Sequence, residues 1–240
     1  MISIVMPAYN EADVIEASVR EWYDEVIRRI EGSELIVVND CSTDATGEIL
    51  ARLAKELPGL RPVQPARNGG HGKALLFGFK QVTQPWVFQT DSDRQHLPSE
   101  FWDFWRVREQ YDFVFGVRRS RADGPVRVVI SSTMRVVNFA LWGSWIRDAN
   151  CPFKLMRAQA LQSVLARVPG DTFIPMVMVS ILARKMKFGV TEIVVTHEPR
   201  RGGTQSLRGL AKWVRVGTRC ARELAALRRD IAGNHSASRL

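Results

Sequence analysis

Long hydrophobic runs are missing from this 240-residue sequence. No stretch approaches the roughly 20 consecutive apolar residues that cross a bilayer, so we expect no membrane span within it. Cysteine is scarce: Cys41, Cys151 and Cys220 are scattered and show no metal-ligand spacing. We therefore expect reduced thiols and a cytoplasmic location. The apolar start, Met1 to Pro7, has no basic segment before it and predicts a first strand rather than a signal peptide.

Acidic residues are outnumbered by basic ones, and the formal net charge is +9. Such a surplus favours an anionic partner, which could be nucleic acid, anionic lipid or a phosphorylated substrate. A solvated basic surface is the simpler alternative. The surplus is concentrated between Arg200 and Arg229, where Glu223 is the one acid.

The first half of the chain alternates short apolar runs with amphipathic segments. Strands are predicted at Ile2–Met6, Glu34–Asn39, Leu60–Pro65, Trp86–Thr90 and Phe113–Gly116. Helices are predicted from a cap at Asn10 or Asp13 to about Arg29, at Ala45–Leu57 behind the cap Ser42-Thr43-Asp44, at His71–Val82 and at Leu97–Glu109. This alternation predicts an α/β fold, with a mostly parallel central sheet flanked by helices. Ligands of such sheets bind beyond the carboxyl ends of the strands.

The pattern changes after Arg121, where helical segments dominate. Helices are predicted at Val126–Trp145, Ala158–Leu165, Ile174–Met186 and Leu207–Arg229, a loop enters a strand over Asp148–Met156, and a further strand covers Val190–Thr196. We expect this half to complete a single domain over residues 1–232, followed by a flexible tail over 233–240.

Two acids, Asp91 and Asp93, directly follow the fourth predicted strand. Crowded carboxylates are costly unless a positive charge neutralises them. A divalent Mg²⁺ or Mn²⁺ that bridges diphosphate oxygens would do so, since these ions prefer oxygen ligands. A polar turn that caps the next helix is the alternative, but the position at a strand end favours the metal. Asp40, after the second strand, could accept hydrogen bonds from a nucleobase or ribose.

A glycine-rich segment, Arg67 to Ala74, precedes the third predicted helix. Its glycines permit close approach of a ligand to the backbone, and Lys73 supplies a cation, so the segment could hold a phosphate. Its spacing matches neither a Walker loop nor a dinucleotide-binding fingerprint, and a plain loop is the alternative.

Taken in order along the chain, these motifs resemble those of the inverting glycosyltransferases of family 2, which have the GT-A fold. The resemblance runs from Ile2 to Gly116 and rests on Val5–Ala12, Val37–Thr46, Asn68–Ala74 and the DXD motif Asp91-Ser92-Asp93. It implies a Rossmann-like nucleotide-binding half, residues 1–120, that binds a UDP- or GDP-linked sugar, and an acceptor-binding half, residues 121–232. The implied donor-site residues are Pro7, Ala8, Tyr9, Glu11, Asp40, Asn68, Lys73, Asp91, Ser92, Arg200 and Arg201.

Within the family, the sequence is most similar to the polyprenyl-phosphate sugar synthases. The segments that carry this likeness are Asp93-Arg94-Gln95, Gly116-Val117-Arg118, Arg147–Lys154 and Arg200–Ser206. Pro152 and Lys154 depart from the subgroup's pattern, and Ser132 stands where an arginine is usual. The likeness implies Asp91, Asp93 and Gln95 as metal ligands, and Arg118, Arg127 and Asp148 around a polyprenyl-phosphate acceptor.

The predicted mechanism depends on the acceptor. Catalytic roles are expected for Asp93, Arg118 and Asp148, with cationic support to the diphosphate from Arg200, Arg201 and Lys73. A lipid phosphate, held by Arg118 and Arg127, needs no strong base. A hydroxyl on a soluble glycan or natural product would need one, and Asp148 is the candidate unless it caps its loop or pairs with Arg147. His197, with Glu198, could join the metal or diphosphate site or serve a structural role.

Membrane contact and two other protein classes need consideration. The aromatic segments Phe101–Trp105 and Trp142–Trp145 and the basic stretch Arg208–Arg229 could seat the protein on the inner face of an anionic membrane, or could be core and solvated helix. A nucleotidyltransferase usually has a glycine-rich loop after its first strand, where this chain has Pro7–Glu11. A basic nucleic-acid-binding module would explain the charge, but no recognised nucleic-acid-binding signature is present and no nucleic acid partner is expected.

Overall fold

The structure, a computed structural model, describes residues 1–119, 146–199 and 217–229. Within these ranges seven strands form one sheet in the order β3-β2-β1-β4-β6-β5-β7. The strands are β1 (Ile2–Ala8), β2 (Glu34–Asn39), β3 (Leu60–Val63), β4 (Trp86–Gln89), β5 (Phe113–Arg118), β6 (Lys154–Arg157) and β7 (Val190–Val195). The predicted strands are therefore confirmed to within a few residues.

All neighbouring strands are parallel except β6, which runs antiparallel to both β4 and β5. The prediction of a mostly parallel sheet is confirmed. Because β6 is reversed, its first residue, Lys154, lies at the edge of the sheet where β4 and β5 end. The sheet combines strands from both predicted halves of the chain.

Helices cover both faces of the sheet. They are α1 (Ile15–Glu25), α2 (Thr46–Glu56), α3 (His71–Phe79), α4 (Phe101–Arg106), α5 (Ala158–Leu165) and α6 (Pro175–Lys185), and residues 217–229 are also helical. One apolar cluster joins α1, α2 and α4 to the sheet, and a second joins α3, α5, α6 and the helix at 217–229. The second cluster buries Cys220, Leu224 and Leu227 of the basic helix, so that helix packs with its apolar face inward.

The predicted start of α1 is wrong. The helix begins after Val14 without a side-chain cap, so neither Asn10 nor Asp13 caps it. Asn10 instead has a left-handed backbone (φ 53°), and its side chain accepts a hydrogen bond from the loop after β2. At α2, the Asp44 carboxylate accepts a hydrogen bond of 3.0 Å from the backbone of Thr46, close to its predicted capping position.

The aromatic segment predicted as a helix over Leu97–Glu109 forms α4 between two short 3₁₀ turns. Phe101 and Phe104 are completely buried, and their rings meet Phe88 of β4 at centroid distances of 5.1 and 5.9 Å. Burial of this kind favours a core role for the segment over membrane contact. In the described part of the chain, no helix is long and apolar enough to cross a membrane. The predicted helix Val126–Trp145 and residues 207–216 lie outside that part.

Candidate donor and acceptor site

The loops after β1 and β2 are bound to each other at the carboxyl edge of the sheet. The backbone amide of Asn10 donates a hydrogen bond to Ser42 Oγ at 3.0 Å, and the backbone amide of Glu11 donates one to Thr46 Oγ1 at 2.9 Å. Pro7 and Ala8 end β1 and are buried, whereas the Tyr9 side chain after them is 48% exposed. The predicted nucleoside residues of β1 therefore lie beside β2, with Tyr9 available to a ligand.

The glycine-rich loop holds Asp40 rather than an open phosphate cradle. The Gly69 and Gly70 amides donate to the two carboxylate oxygens of Asp40 at 2.9 and 2.7 Å, and Asn68 Nδ2 donates to its carbonyl at 2.7 Å. Asp40 is only 2% exposed. The Gly69 and Gly70 amides thus serve a buried carboxylate, which needs compensating donors, and this favours the plain-loop alternative for these two residues. Lys73 is exposed in the first turn of α3.

Asp91, the first acid after β4, presents a carboxylate oxygen that lacks a hydrogen bond. Over the described ranges, Asp91 Oδ1 is shielded from solvent and has no hydrogen-bond partner. The imidazole of His71 lies close by, with its Nε2 3.8 Å from this oxygen. Loss of water without a replacement partner is costly for a carboxylate, so this oxygen is suited to a bound cation or a ligand donor. His71 was not among the predicted site residues.

The loop after Asp93 is joined to the end of β7. The Gln95 amide nitrogen Nε2 donates to the Glu198 carbonyl at 3.0 Å, and the Glu198 backbone amide donates to the Gln95 carbonyl at 2.8 Å. The Glu100 carboxylate accepts hydrogen bonds from both the amide and the hydroxyl of Thr196. These bonds place His197 and Glu198 next to the predicted metal ligands, although they are distant in sequence.

His96 is buried inside this junction. Its Nδ1 lies 3.1 Å from the Thr196 carbonyl, which can only accept, so Nδ1 carries the proton. Burial lowers the pKa of His96 to about 3, with further lowering from nearby His197 and Arg118. The imidazole is therefore neutral at physiological pH. Its position beside Gln95 in sequence was the signal that could have identified it.

Arg118 and Asp148, both predicted around the acceptor, form one ion pair. Arg118 Nε and Nη2 donate to the two carboxylate oxygens of Asp148 at 2.7 and 2.8 Å. The side chains are 12% and 5% exposed, so the pair is largely desolvated. The suggested pairing of Asp148 with Arg147 is wrong. Asp148 is engaged by a guanidinium through both oxygens, which makes it less suited to act as a general base.

The remaining predicted site residues are divided by location. Ser92 is buried between the two acids, and Asp93 Oδ1 accepts a hydrogen bond of 3.3 Å from the Gln95 amide. Arg127, Arg200 and Arg201 lie outside the described residues. Sequence reasoning assigned no role to Gln89 or to Lys154, which it noted as a departure from the subgroup's pattern, and both are buried beneath the site. A lysine in an otherwise apolar strand was the signal for the second of these.

A mostly parallel sheet with acids at its carboxyl edge is typical of α/β enzymes that bind their ligands beyond the strand ends. Residues 3–168 match the family described as "Glycosyl transferase family 2". The chain belongs to this family, as its motifs predicted.

Curated relatives include two enzymes called "Undecaprenyl-phosphate 4-deoxy-4-formamido-L-arabinose transferase". The one from Serratia proteamaculans is 31% identical over 208 residues, covering 84% of this chain and 61% of the relative. The one from Edwardsiella ictaluri is 29% identical and covers 90% of this chain and 65% of the relative. The chain thus spans less than two thirds of their length. The predicted likeness to the polyprenyl-phosphate subgroup is confirmed.

Solved structures are similar in fold. Glucosyl-3-phosphoglycerate synthase from Mycobacterium tuberculosis, crystallised with Mn²⁺, UDP and phosphoglyceric acid, has a TM-score of 0.69 at 22% identity and covers 95% of this chain and 78% of its own. The mannosyltransferase from Pyrobaculum calidifontis, in complex with GDP-Man and Mn²⁺, has a TM-score of 0.61 at 22% identity and covers 84% and 58%. These likenesses confirm the GT-A fold prediction.

Proposed function

We propose that this chain transfers a sugar from a nucleotide diphosphate-sugar to a polyprenyl phosphate, with inversion at the anomeric carbon and with a divalent metal. The observation that carries the proposal is the buried oxygen of Asp91 at the carboxyl edge of β4, which lacks a hydrogen bond in the part of the chain that the structure describes. The relatives named as undecaprenyl-phosphate transferases support the acceptor. The neighbours bound to GDP-Man or UDP with Mn²⁺ support the donor and the metal.

The residues present fit a Mg²⁺ or Mn²⁺ ion completed by diphosphate oxygens. Asp91 offers an oxygen without a hydrogen bond, and the Glu198 carbonyl holds the amide nitrogen of Gln95, which orients its carbonyl oxygen as the ligand end. Across the described ranges, no three His, Cys, Asp or Glu side chains converge as a complete metal site. A set of one or two carboxylates plus an amide suits Mg²⁺ or Mn²⁺, which take further ligands from phosphate and water.

In the proposed reaction, an oxygen of the acceptor phosphate attacks the anomeric carbon. The new carbon–oxygen bond forms as the bond to the nucleotide diphosphate breaks, and the diphosphate leaves with the electron pair. Asp91, Asp93 and Gln95 would hold the metal, which supplies charge neutralisation to the leaving group. Tyr9 and the loops after β1 and β2 would bind the nucleoside, with Asp40 held in place by the glycine loop.

The state of Asp148 favours a phosphate acceptor over a hydroxyl. A phosphate is already anionic and needs no proton removed, whereas a hydroxyl acceptor needs a base. Asp148 is occupied by Arg118 through both oxygens. An incoming phosphate could share the Arg118 guanidinium, with Arg127 and the Arg200-Arg201 segment as further proposed cations. Peripheral contact with an anionic membrane through the basic C-terminal helix is part of the same proposal.

Donor binding is tested by thermal unfolding with UDP, GDP and their sugars, with and without Mn²⁺. A nucleotide at 100 times its Kd should stabilise the fold by about 2.7 kcal/mol, which corresponds to roughly 5–10 °C in Tm. Asp93→Ala should abolish the metal-dependent shift, while Asp103→Ala, at an exposed position of α4, should retain it. If no nucleotide shifts the native protein's Tm under any metal condition, the proposed donor site is wrong.

The acceptor is tested with a matched pair of lipids. A short-chain polyprenyl phosphate and the corresponding polyprenol differ only in the phosphate group. Transfer of labelled sugar to the phosphate and not to the alcohol is expected. Transfer to the alcohol, or to a soluble glycan alone, would contradict the phosphate acceptor and leave the donor proposal standing.

A further inference from the structure

A lysine is buried in the sheet directly beneath the proposed metal loop. Lys154 begins β6 and is 0% exposed, and Gln89, the last residue of β4, is 1% exposed. The antiparallel register places the two residues opposite each other. Their neighbours two positions along, Val87 and Met156, belong to the cluster beneath α3, α5 and α6, so both side chains face that layer.

The two side chains carry complementary atoms that are both unsatisfied. Within the ranges described, neither Lys154 Nζ nor Gln89 Oε1 has a hydrogen-bond partner, and both atoms are shielded from solvent. One is a donor and the other is an acceptor, and directly opposed residues have Cβ atoms about 4.5–5.5 Å apart. The ammonium lies 4.8 Å from the centroid of Phe115, the residue opposite it on β5. The two side chains thus start from opposed positions on one face of the sheet, and a hydrogen bond from Nζ to Oε1 would satisfy both atoms.

Burial makes this lysine costly to keep. Desolvation is the main cause that lowers the pKa of Lys154 to about 8. The nearby charges of Arg118 and Arg184 lower this pKa further, whereas those of Cys151 and Asp148 raise it. An apolar residue of similar length would avoid this cost. Residues that reduce stability in this way are concentrated at functional sites, where the cost is retained for activity.

We propose that Lys154 is a positioning residue that holds Gln89, and through it the loop that carries Asp91 and Asp93, in the geometry required for metal-dependent donor binding. Gln89 is the last residue of β4 and stands two residues before Asp91, so its side chain lies where the strand leads into the loop. This inference rests on the proposed function, because it assigns Lys154 to the proposed metal-nucleotide site. Groups that support metal ligands from behind typically affect metal affinity by about 10–100-fold.

The test uses Lys154→Met, Gln89→Leu, the double variant and the surface control Lys55→Met, at the exposed end of α2. Nucleotide affinity is measured by calorimetry with saturating Mn²⁺ and without metal, alongside thermal unfolding. We expect Lys154→Met to raise Tm, to weaken nucleotide binding in Mn²⁺ by roughly tenfold, and to leave metal-free binding unchanged. Gln89→Leu should weaken the same binding, the double variant should lose no more than either single variant, and Lys55→Met should match the native protein.

Three results would overturn the inference. They are native metal-dependent affinity in Lys154→Met, an equal loss of affinity with and without metal, and losses that add in the double variant. An equal loss would indicate a general structural defect. Failure of the proposed function is separate, because the native protein itself would then bind no nucleotide with Mn²⁺.

Discussion

Replacement of Lys154 by methionine should stabilise the folded protein at neutral pH. The pKa of this amine falls from 10.5 to about 8 in the folded state, chiefly because burial disfavours the charged form. At about 1.4 kcal/mol per pKa unit, the protonated lysine costs the fold about 3 kcal/mol. In a domain of this size, Lys154→Met should therefore raise Tm by roughly 6–12 °C at pH 7.

The pH dependence separates this cause from a simple packing effect. Since the unfolded chain binds the Lys154 proton more tightly, the free energy of unfolding of the native protein should rise with pH between about 8 and 10.5. The advantage of Lys154→Met should shrink over the same interval and nearly vanish above it.

The thiol of Cys151 titrates in an overlapping range and needs a control. Burial raises its pKa from 9.0 to about 11, so its contribution to stability falls as pH rises between those values. The comparison should therefore be repeated in a Cys151→Ala background, in which the slope from Lys154 is isolated. The measurement is urea unfolding from pH 7 to pH 10.5. A stability difference between Lys154→Met and the native protein that is independent of pH, or a less stable variant at pH 7, would refute the reasoning.

Three further predictions concern side chains with defined surroundings. Asp148→Asn should lower the free energy of unfolding by about 3 kcal/mol, because it leaves the largely buried Arg118 without its carboxylate. Asp171→Asn, at an exposed position, is the control. An unchanged urea midpoint in Asp148→Asn would contradict the ion pair. Glu34 is buried, which raises its pKa, but hydrogen bonds from Ser3, Arg61 and Thr83 outweigh burial and lower that pKa. Glu34→Gln should therefore destabilise by about 2 kcal/mol at pH 7, and the difference should shrink as pH falls below the ordinary value of 4.5. A difference that is as large at pH 3 as at pH 7 would contradict this reasoning. Gly78→Ala should destabilise the folded protein by about 1–3 kcal/mol in thermal unfolding, because its Cβ would lie 2.6 Å from Val5 Cγ1 and 2.8 Å from Val38 Cγ2. Gly170→Ala is the control and should be neutral in the same assay, because no atom lies within 4 Å of its Cβ.

Much of the architecture was predictable because it depends on local sequence patterns. Short apolar runs bounded by turn residues indicated the strands, and the motifs at their ends indicated the family and the edge of the sheet that binds ligands. Asp91 and Asp93 were found in this way, since their position after β4 is a matter of sequence adjacency.

Local patterns misplaced the boundaries of two helices, whereas Ala158–Leu165 was predicted with the bounds that the structure has. Asn10 and Asp13 are common cap residues, but Asn10 contacts Thr43 across the neighbouring loop instead. The helix predicted over Leu97–Glu109 is α-helical only over Phe101–Arg106 and has a 3₁₀ turn on either side. At α1, a contact between distant segments outweighed the local preference.

The sequence by itself determined the alternation of strands and helices, the family and the acids at the strand ends, because each depends on residues close together in the chain. Only the tertiary structure decided that β6 runs antiparallel between β4 and β5, which puts Lys154 opposite Gln89. It also decided that Arg118 pairs with Asp148 and that the glycine loop holds Asp40. The partner of a charge or a hydrogen-bond donor depends on distances and burial in the folded chain, and these quantities cannot be calculated from spacing along the sequence.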